Sequence, residues 1–229
     1  SVRVKPSWAV RKLMLAAGTW DIRIVPPTGQ LLVPKQYENV VVSGPIAYGN
    51  ITLATAYLLT GSVVDQVSSL PVAGTKLKVY DSLTGERVYV PSDTVNAFGQ
   101  FSLPVPYGMV QLDVEPPALN THVGRQIFGT LVPGPVALGQ VRLSNGVLLS
   151  GTVTVAGQPA ANADIDVLRP DGKKVFTPHD TVAANGTFAV AVPTGTALRT
   201  RVEAPAGSQA YGTVTAAQTF ATATNLGTI

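Results

Sequence analysis

The feature that most constrains this chain is that it repeats itself. Leu58-Leu-Thr-Gly-Ser-Val-Val64 returns 90 residues later as Leu148-Leu-Ser-Gly-Thr-Val-Thr154. Pro91-Ser-Asp-Thr-Val-Asn-Ala-Phe-Gly-Gln-Phe101 returns as Pro178-His-Asp-Thr-Val-Ala-Ala-Asn-Gly-Thr-Phe188, at an offset of 87. Shorter loops around Gly157-Gln-Pro159 and Pro170-Asp-Gly172 absorb the difference. A third, partial copy stands at the front. Gly18-Thr-Trp-Asp-Ile-Arg-Ile-Val-Pro-Pro27 lines up with Gly108-Met-Val-Gln-Leu-Asp-Val-Glu-Pro-Pro117, and Gly44-Pro-Ile-Ala-Tyr-Gly-Asn-Ile-Thr-Leu53 with Gly134-Pro-Val-Ala-Leu-Gly-Gln-Val-Arg-Leu143. Repetition on this scale predicts one small core per copy. It divides the chain into 1–53, the back part of a first repeat, then 54–143 and 144–229, two nearly whole ones.

Within each copy the hydrophobic period is two, the pattern of half-buried strands. Leu77 and Val79 alternate with Lys76 and Lys78; Ile165 and Val167 alternate with Asp164 and Asp166. The inward positions stay apolar while the outward ones change sign, as a sandwich with a solvated outer face requires. Trp20, Ile22 and Ile24 alternate likewise, as do Val110, Leu112 and Val114. Phe98-Gly99, Asp171-Gly172 and Asn185-Gly186 are turn signals. The 22 glycines and 18 prolines break the apolar residues into short runs, and no helical stripe is sustained. The expected fold is all-β: tandem small antiparallel β-sandwiches with almost no helix. The junctions Leu53-Ala-Thr-Ala-Tyr-Leu58 and Leu143-Ser-Asn-Gly-Val-Leu148 are short and apolar, unlike flexible linkers. They predict an end-to-end, semi-rigid rod.

The repeat resembles the carboxypeptidase regulatory-like, or transthyretin-like, β-sandwich family. The pattern is carried by Leu59, Gly61, Val63, Pro71, Val79, Thr94, Gly99, Phe101, Val105, Pro106 and Gly108. It is carried again by Leu149, Gly151, Val153, Pro159, Val167, Thr181, Gly186, Phe188, Val192, Pro193 and Gly195. The resemblance implies an Ig-like sandwich; such folds serve many roles, so it does not fix a function. The collagen-adhesin B-type stalk domain is weaker, because its isopeptide needs a first-strand lysine and neither Gly61–Val64 nor Gly151–Thr154 offers one.

Charge excludes some functions. The net charge is +3, but the basic residues are scattered and Lys173-Lys174 is the only lysine pair, so no nucleic-acid partner is expected. No apolar run is long enough to span a bilayer. The absence of cysteine rules out disulfides and thiolate metal sites. Ser1–Pro6 has no apolar leader core, so the chain is expected to be either intracellular or already processed or trimmed.

Candidate chemistry is thin. His179-Asp180 is the one His–Asp neighbour pair, but Ser92-Asp93 takes its place in the other copy, so Asp93 and Asp180 are expected to cap backbone amides. His122 reads as an isolated, solvated loop residue. Asp164, Asp166 and Asp171 lack the ligand density of a calcium loop, and their counterparts Lys76 and Lys78 would repel a cation. Glu115 and Glu203 recur before prolines, which points to the fold rather than to catalysis. Asn50-Ile-Thr52 and Asn185-Gly-Thr187 match the glycosylation pattern. Tyr37, Tyr48, Tyr57, Tyr107 and Tyr211 would form a carbohydrate platform only if they cluster. No catalytic, cofactor or metal residue is assigned, and the chain is not expected to be an enzyme.

The front repeat lacks the counterpart of Leu58 to about Ser92, which leaves strand edges open. Either upstream sequence completes it, the favoured reading, or another copy supplies strands by β-complementation. The expected role is a non-catalytic extracellular or cell-surface repeat protein: a spacer, adhesin stalk, or fibre subunit whose partners are neighbouring repeats. The alternative is an accessory ligand- or carbohydrate-binding module of a larger envelope enzyme or receptor.

Overall fold

A computed structural model describes residues 2–4 and 13–229, apart from 28, 206 and 209. The leader reading of Ser1–Pro6 therefore lies, but for Val2–Val4, outside the described residues. No helix occurs among those described. The chain is all-β.

The front sheet runs β1-β2-β3, built from β1 (Val2–Val4), β2 (Gly18–Ile24) and β3 (Lys35–Val42). A middle unit follows: β4 (Ala56–Asp65), β5 (Lys76–Asp81), β6 (Arg87–Val88), β7 (Gln100–Pro106), β8 (Gly108–Glu115), β9 (Arg125–Val132) and β10 (Val136–Leu143). Its two sheets, β10-β4-β7 and β6-β5-β8-β9, share one core. The last unit holds β11 (Gly146–Thr152), β12 (Thr154–Val155), β13 (Gln158–Pro159), β14 (Asp164–Leu168), β15 (Lys174–Val175), β16 (Thr187–Pro193), β17 (Ala197–Glu203), β18 (Thr213–Val214), β19 (Gln218–Thr219) and β20 (Thr224–Thr228). Its main sheets are β16-β11-β20 and β15-β14-β17-β18, with β19 also on β17 and a small β12-β13 hairpin.

The alternation in sequence is the alternation in space. Val110, Leu112 and Val114 of β8 are fully buried, as are Leu77 and Val79 of β5. Each such side chain contributes about 1.5–3 kcal/mol when taken from water. Two glycines explain themselves by close approach. A Cβ on Gly61 would lie 2.7 Å from the Phe101 ring and 2.8 Å from the Gly139 carbonyl oxygen; one on Gly151 would meet Phe188 at 2.8 Å and the Gly227 oxygen at 3.0 Å. In each unit the phenylalanine ring lies flush against the first strand, and only glycine leaves room for it. Gly99 and Gly186 adopt φ of 77° and 83°, as the turn signals predicted.

The front sheet shows what a partial copy leaves open. In the middle unit β8 lies between β5 and β9; in the front sheet the β5 side of β2 is taken by β1, in parallel. Leu13-Met-Leu-Ala-Ala-Gly18 matches Leu103-Pro-Val-Pro-Tyr-Gly108 at the same 90-residue offset. Leu103 is fully buried beside β4, whereas Leu13 is exposed.

Candidate functional site

The residues singled out for chemistry do not assemble a reaction centre. His179 donates its Nε2–H to the Pro116 carbonyl oxygen at 2.9 Å, a contact between the last and middle units. Nothing pairs it with a hydroxyl nucleophile among the described residues. Asp93 and Asp180 hold the same backbone position in their repeats. Their backbone carbonyls accept Leu77 N–H at 2.7 Å and Ile165 N–H at 3.0 Å. Burial and the nearby Asp164 charge push the Asp180 carboxyl above its ordinary range, against the opposing pull of Lys174 at 3.5 Å.

Asp164, Asp166 and Glu203 bring carboxylate oxygens within 4.8 Å of one another. Two cations offset most of that cluster's charge. Asp166 is buried rather than solvated, and it pairs with Lys174 and Arg201; Arg201 also reaches Glu203 at 3.0 Å. Burial works to raise the Asp166 carboxyl, but the bonds from Lys174 and Arg201 outweigh it and hold it below the ordinary range. The outer face is thus a charge network, and its sign inverts between units. Lys78 faces Asp113 across β5–β8, where Asp166 faces Arg201 across β14–β17. Lys78 completes its side with a 2.7 Å ion pair to the buried Glu115.

The tyrosines form separate pairs. Tyr37 and Tyr48 pack with tilted rings at 4.8 Å between centroids, and Tyr57 and Tyr107 meet edge-on at 6.5 Å. Tyr211 stands alone and almost wholly exposed. Among the described residues no contact joins them into one aromatic platform.

The arrangement that does recur lies at the junctions. Val33 N–H donates to the Ala54 oxygen at 2.8 Å, and Ala56 N–H to the Leu31 oxygen at 2.9 Å. Ninety residues on, Val123 N–H donates to the Ser144 oxygen at 2.9 Å, and Gly146 N–H to the Thr121 oxygen at 2.8 Å. Each is a two-bond antiparallel bridge, centred on Leu32–Thr55 and on His122–Asn145. It fastens the loop after one repeat's β2- or β8-type strand to the strand that opens the next repeat. Side chains seal it. The Arg23 guanidinium lies 5.0 Å from the Tyr89 ring centroid, within cation–π range. At the second junction Phe176, which aligns with Tyr89, and Pro178 pack so closely on Gly124 that a Cβ there would lie 2.5 Å from Pro178.

His122 is the residue that sequence reasoning misplaced. It is largely buried, with Nε2 at 3.0 Å from Asp65 Oδ2 and Nδ1 at 2.5 Å from Asn120 Oδ1. Both ring nitrogens face oxygens. Asp65 Oδ1 also accepts Ser68 N–H and Oγ–H and Val67 N–H. Those bonds, Ser68 first, hold the Asp65 carboxyl far below the ordinary range. A lone histidine in a loop gives no sign of such partners, since Asp65 lies 57 residues away. The offset-90 match of the junction strands was the available signal.

No protein-family profile and no curated protein sequence matches the chain. Distant likenesses exist among solved structures. The Bacillus anthracis TIE protein aligns at 13% identity over 86% of this chain with a TM-score of 0.30, and the chain spans 37% of that protein's length. The shaft pilin SpaA from Lactobacillus rhamnosus GG aligns at 13% identity, covering 76% of this chain and 98% of the other, with a TM-score of 0.29. A putative carbohydrate binding protein from Bacteroides uniformis aligns at 10% identity, covering 72% and 98%, with a TM-score of 0.30. Superpositions this loose leave the fold resting on the sheets themselves.

Proposed function

We propose that the chain is a non-catalytic structural repeat protein of the cell surface or extracellular space, a spacer, stalk or fibre subunit whose job is to hold β-sandwiches at fixed spacing. One observation carries this reading: the same pair of backbone hydrogen bonds joins successive repeats at both junctions. Backbone bridging, an aromatic seal and a close-packed glycine restrict hinge motion, unlike a Gly/Ser linker that leaves neighbours free. A surface of separate tyrosine pairs favours this role over a glycan-binding module. The repeat is read as carboxypeptidase regulatory-like, supported by the Gly61–Phe101 and Gly151–Phe188 contacts.

Small-angle scattering of the full chain tests the mechanical claim. A single elongated particle, unchanged by salt, is the expected result. Profiles that require freely hinged beads would remove the reading.

A further inference from the structure

The strand register places the last unit's loop on the middle unit's loop. Val114 faces Arg125 in β8–β9, and Val202 faces Thr213 in β17–β18, so the two hairpins match at an offset of 88. Asn120, His122, Val123 and Gly124 thereby correspond to Ser208, Ala210, Tyr211 and Gly212.

The two loops differ in what covers them. Against Pro116, Pro117, Asn120 and His122 sit Leu148, Pro178, His179, Ala189 and Ala191 of the last unit, which leave about 10 Å³ of space. The matching face of the last unit is an open cleft of about 460 Å³, bordered by Glu203, Pro205, Ser208, Ala210, Gly212 and Val214. Val123 is 9% exposed and its amide is bonded across the junction, whereas Tyr211 is 98% exposed and its amide has no backbone partner among the described residues.

From this we infer that the cleft beside Tyr211 is a third copy of the junction socket, and that its occupant is the opening strand of a further β-sandwich of this repeat type. Three requirements define that occupant. It presents a carbonyl and an amide two residues apart in an extended segment, as Ala54 and Ala56 or Ser144 and Gly146 do. The amide-bearing residue is small. An aromatic-x-Pro hairpin, like Tyr89-Val-Pro91 or Phe176-Thr-Pro178, follows to lie on Gly212. A second copy of this chain does not qualify while folded, because both of its opening strands are already bonded to its own loops.

The inference rests on the proposed reading of the junctions as fixed, and one experiment separates the two. The full chain is extended after Ile229 with Arg-Leu and a second copy of residues 144–229; Ile229 bonds β11 where Val141 lies on β4, so two residues restore the natural spacing. Hydrogen exchange followed by mass spectrometry then compares Tyr211 with Val123. The Tyr211 amide should slow by about a hundredfold relative to the 229-residue chain, reaching the class of Val123. An unchanged Tyr211 amide, with Val123 protected and the duplicate of Leu149 protected in the added copy, overturns the socket but leaves the stiff junction standing. A fast Val123 amide overturns both. Should the added copy fail to protect its own Leu149 duplicate, residues 54–143 are appended instead and read at the duplicate of Leu59. Protection of Tyr211 that grows with the concentration of the unextended chain assigns the cleft to a second copy and overturns the proposal. In the extended chain Tyr211→Pro removes the donor, and the added Gly146 duplicate should return to fast exchange.

Discussion

The middle and last units are written on one pattern, yet their interiors differ. In the middle unit, sixteen buried residues from both sheets form a single cluster that takes in Val110, Leu112 and Val114 of one strand. In the last unit the buried residues fall into two groups, with the half-buried Leu226 packed against both. Leu198 belongs to one cluster and Val202 to another, and between them on the same face of β17 stands Thr200, the counterpart of Leu112. Val90 is likewise replaced by Thr177. Both threonines are buried, and neither hydroxyl has a hydrogen-bond partner among the described residues. A buried hydroxyl without a partner costs more than the methyl it displaces gains, because its bond to water is lost and nothing replaces it. The same fold therefore tolerates an interrupted core, and the last unit should be the less stable one.

The largest expected effect comes from writing the interruption into the intact unit. Leu112→Thr removes a fully buried leucine and installs an orphan hydroxyl, and should cost the middle unit about 4 kcal/mol. Amide protection at Leu59 and Leu103 should fall to or below the level of Leu149 and Val190. If the middle unit keeps its lead over the last, Thr200 is not what divides the cores. The converse substitution is gentler. Thr200→Val removes the hydroxyl at nearly equal volume and should raise the last unit's stability by about 1 kcal/mol. That gain should appear in slowed exchange at Val167 and Val190 and leave Leu59 and Leu103 unchanged.

How much of this was legible beforehand follows from what periodicity encodes. Alternation at Leu77, Val79, Ile165 and Val167 fixes which way a strand faces, and the repeat supplies the rest of the fold. The glycine–phenylalanine contacts were visible only as spacing. Threonine is an ordinary strand residue, so Thr200 gives no warning that its hydroxyl is stranded. Alternation also misled at Asp166, read as solvated because it alternates with core residues, when Lys174 and Arg201 cover it. A cover built from two other strands is a tertiary fact. The same holds for His122, whose partner Asp65 is distant in sequence and adjacent in space.

The smallest effect sharpens the comparison on the outer face. Asp180 sits in a network that the middle unit builds differently, with the half-buried Asp93 carboxyl accepting the Thr94 hydroxyl. Burial and the neighbouring Asp164 raise the Asp180 carboxyl, so the ionised form is less favourable in the folded chain than in the unfolded one. A carboxyl raised in this way leaves stability intact below its unfolded value near 3.8 and lowers it as pH climbs through the folded value. At neutral pH the last unit therefore carries a small penalty. Asp180→Asn should relieve it, raising stability at pH 7 by about 0.3 kcal/mol, since the carboxyl is partly hydrated and keeps a compensating contact to Lys174. Below pH 3.8 the advantage should vanish, because Asp180 is then protonated in folded and unfolded chains alike. Denaturant midpoints read by exchange at Ile165 across that range decide it: a gain that persists into acid points to packing rather than charge. Asp93→Asn in the middle unit, whose carboxyl accepts the Thr94 hydroxyl, should change stability at pH 7 less than Asp180→Asn does.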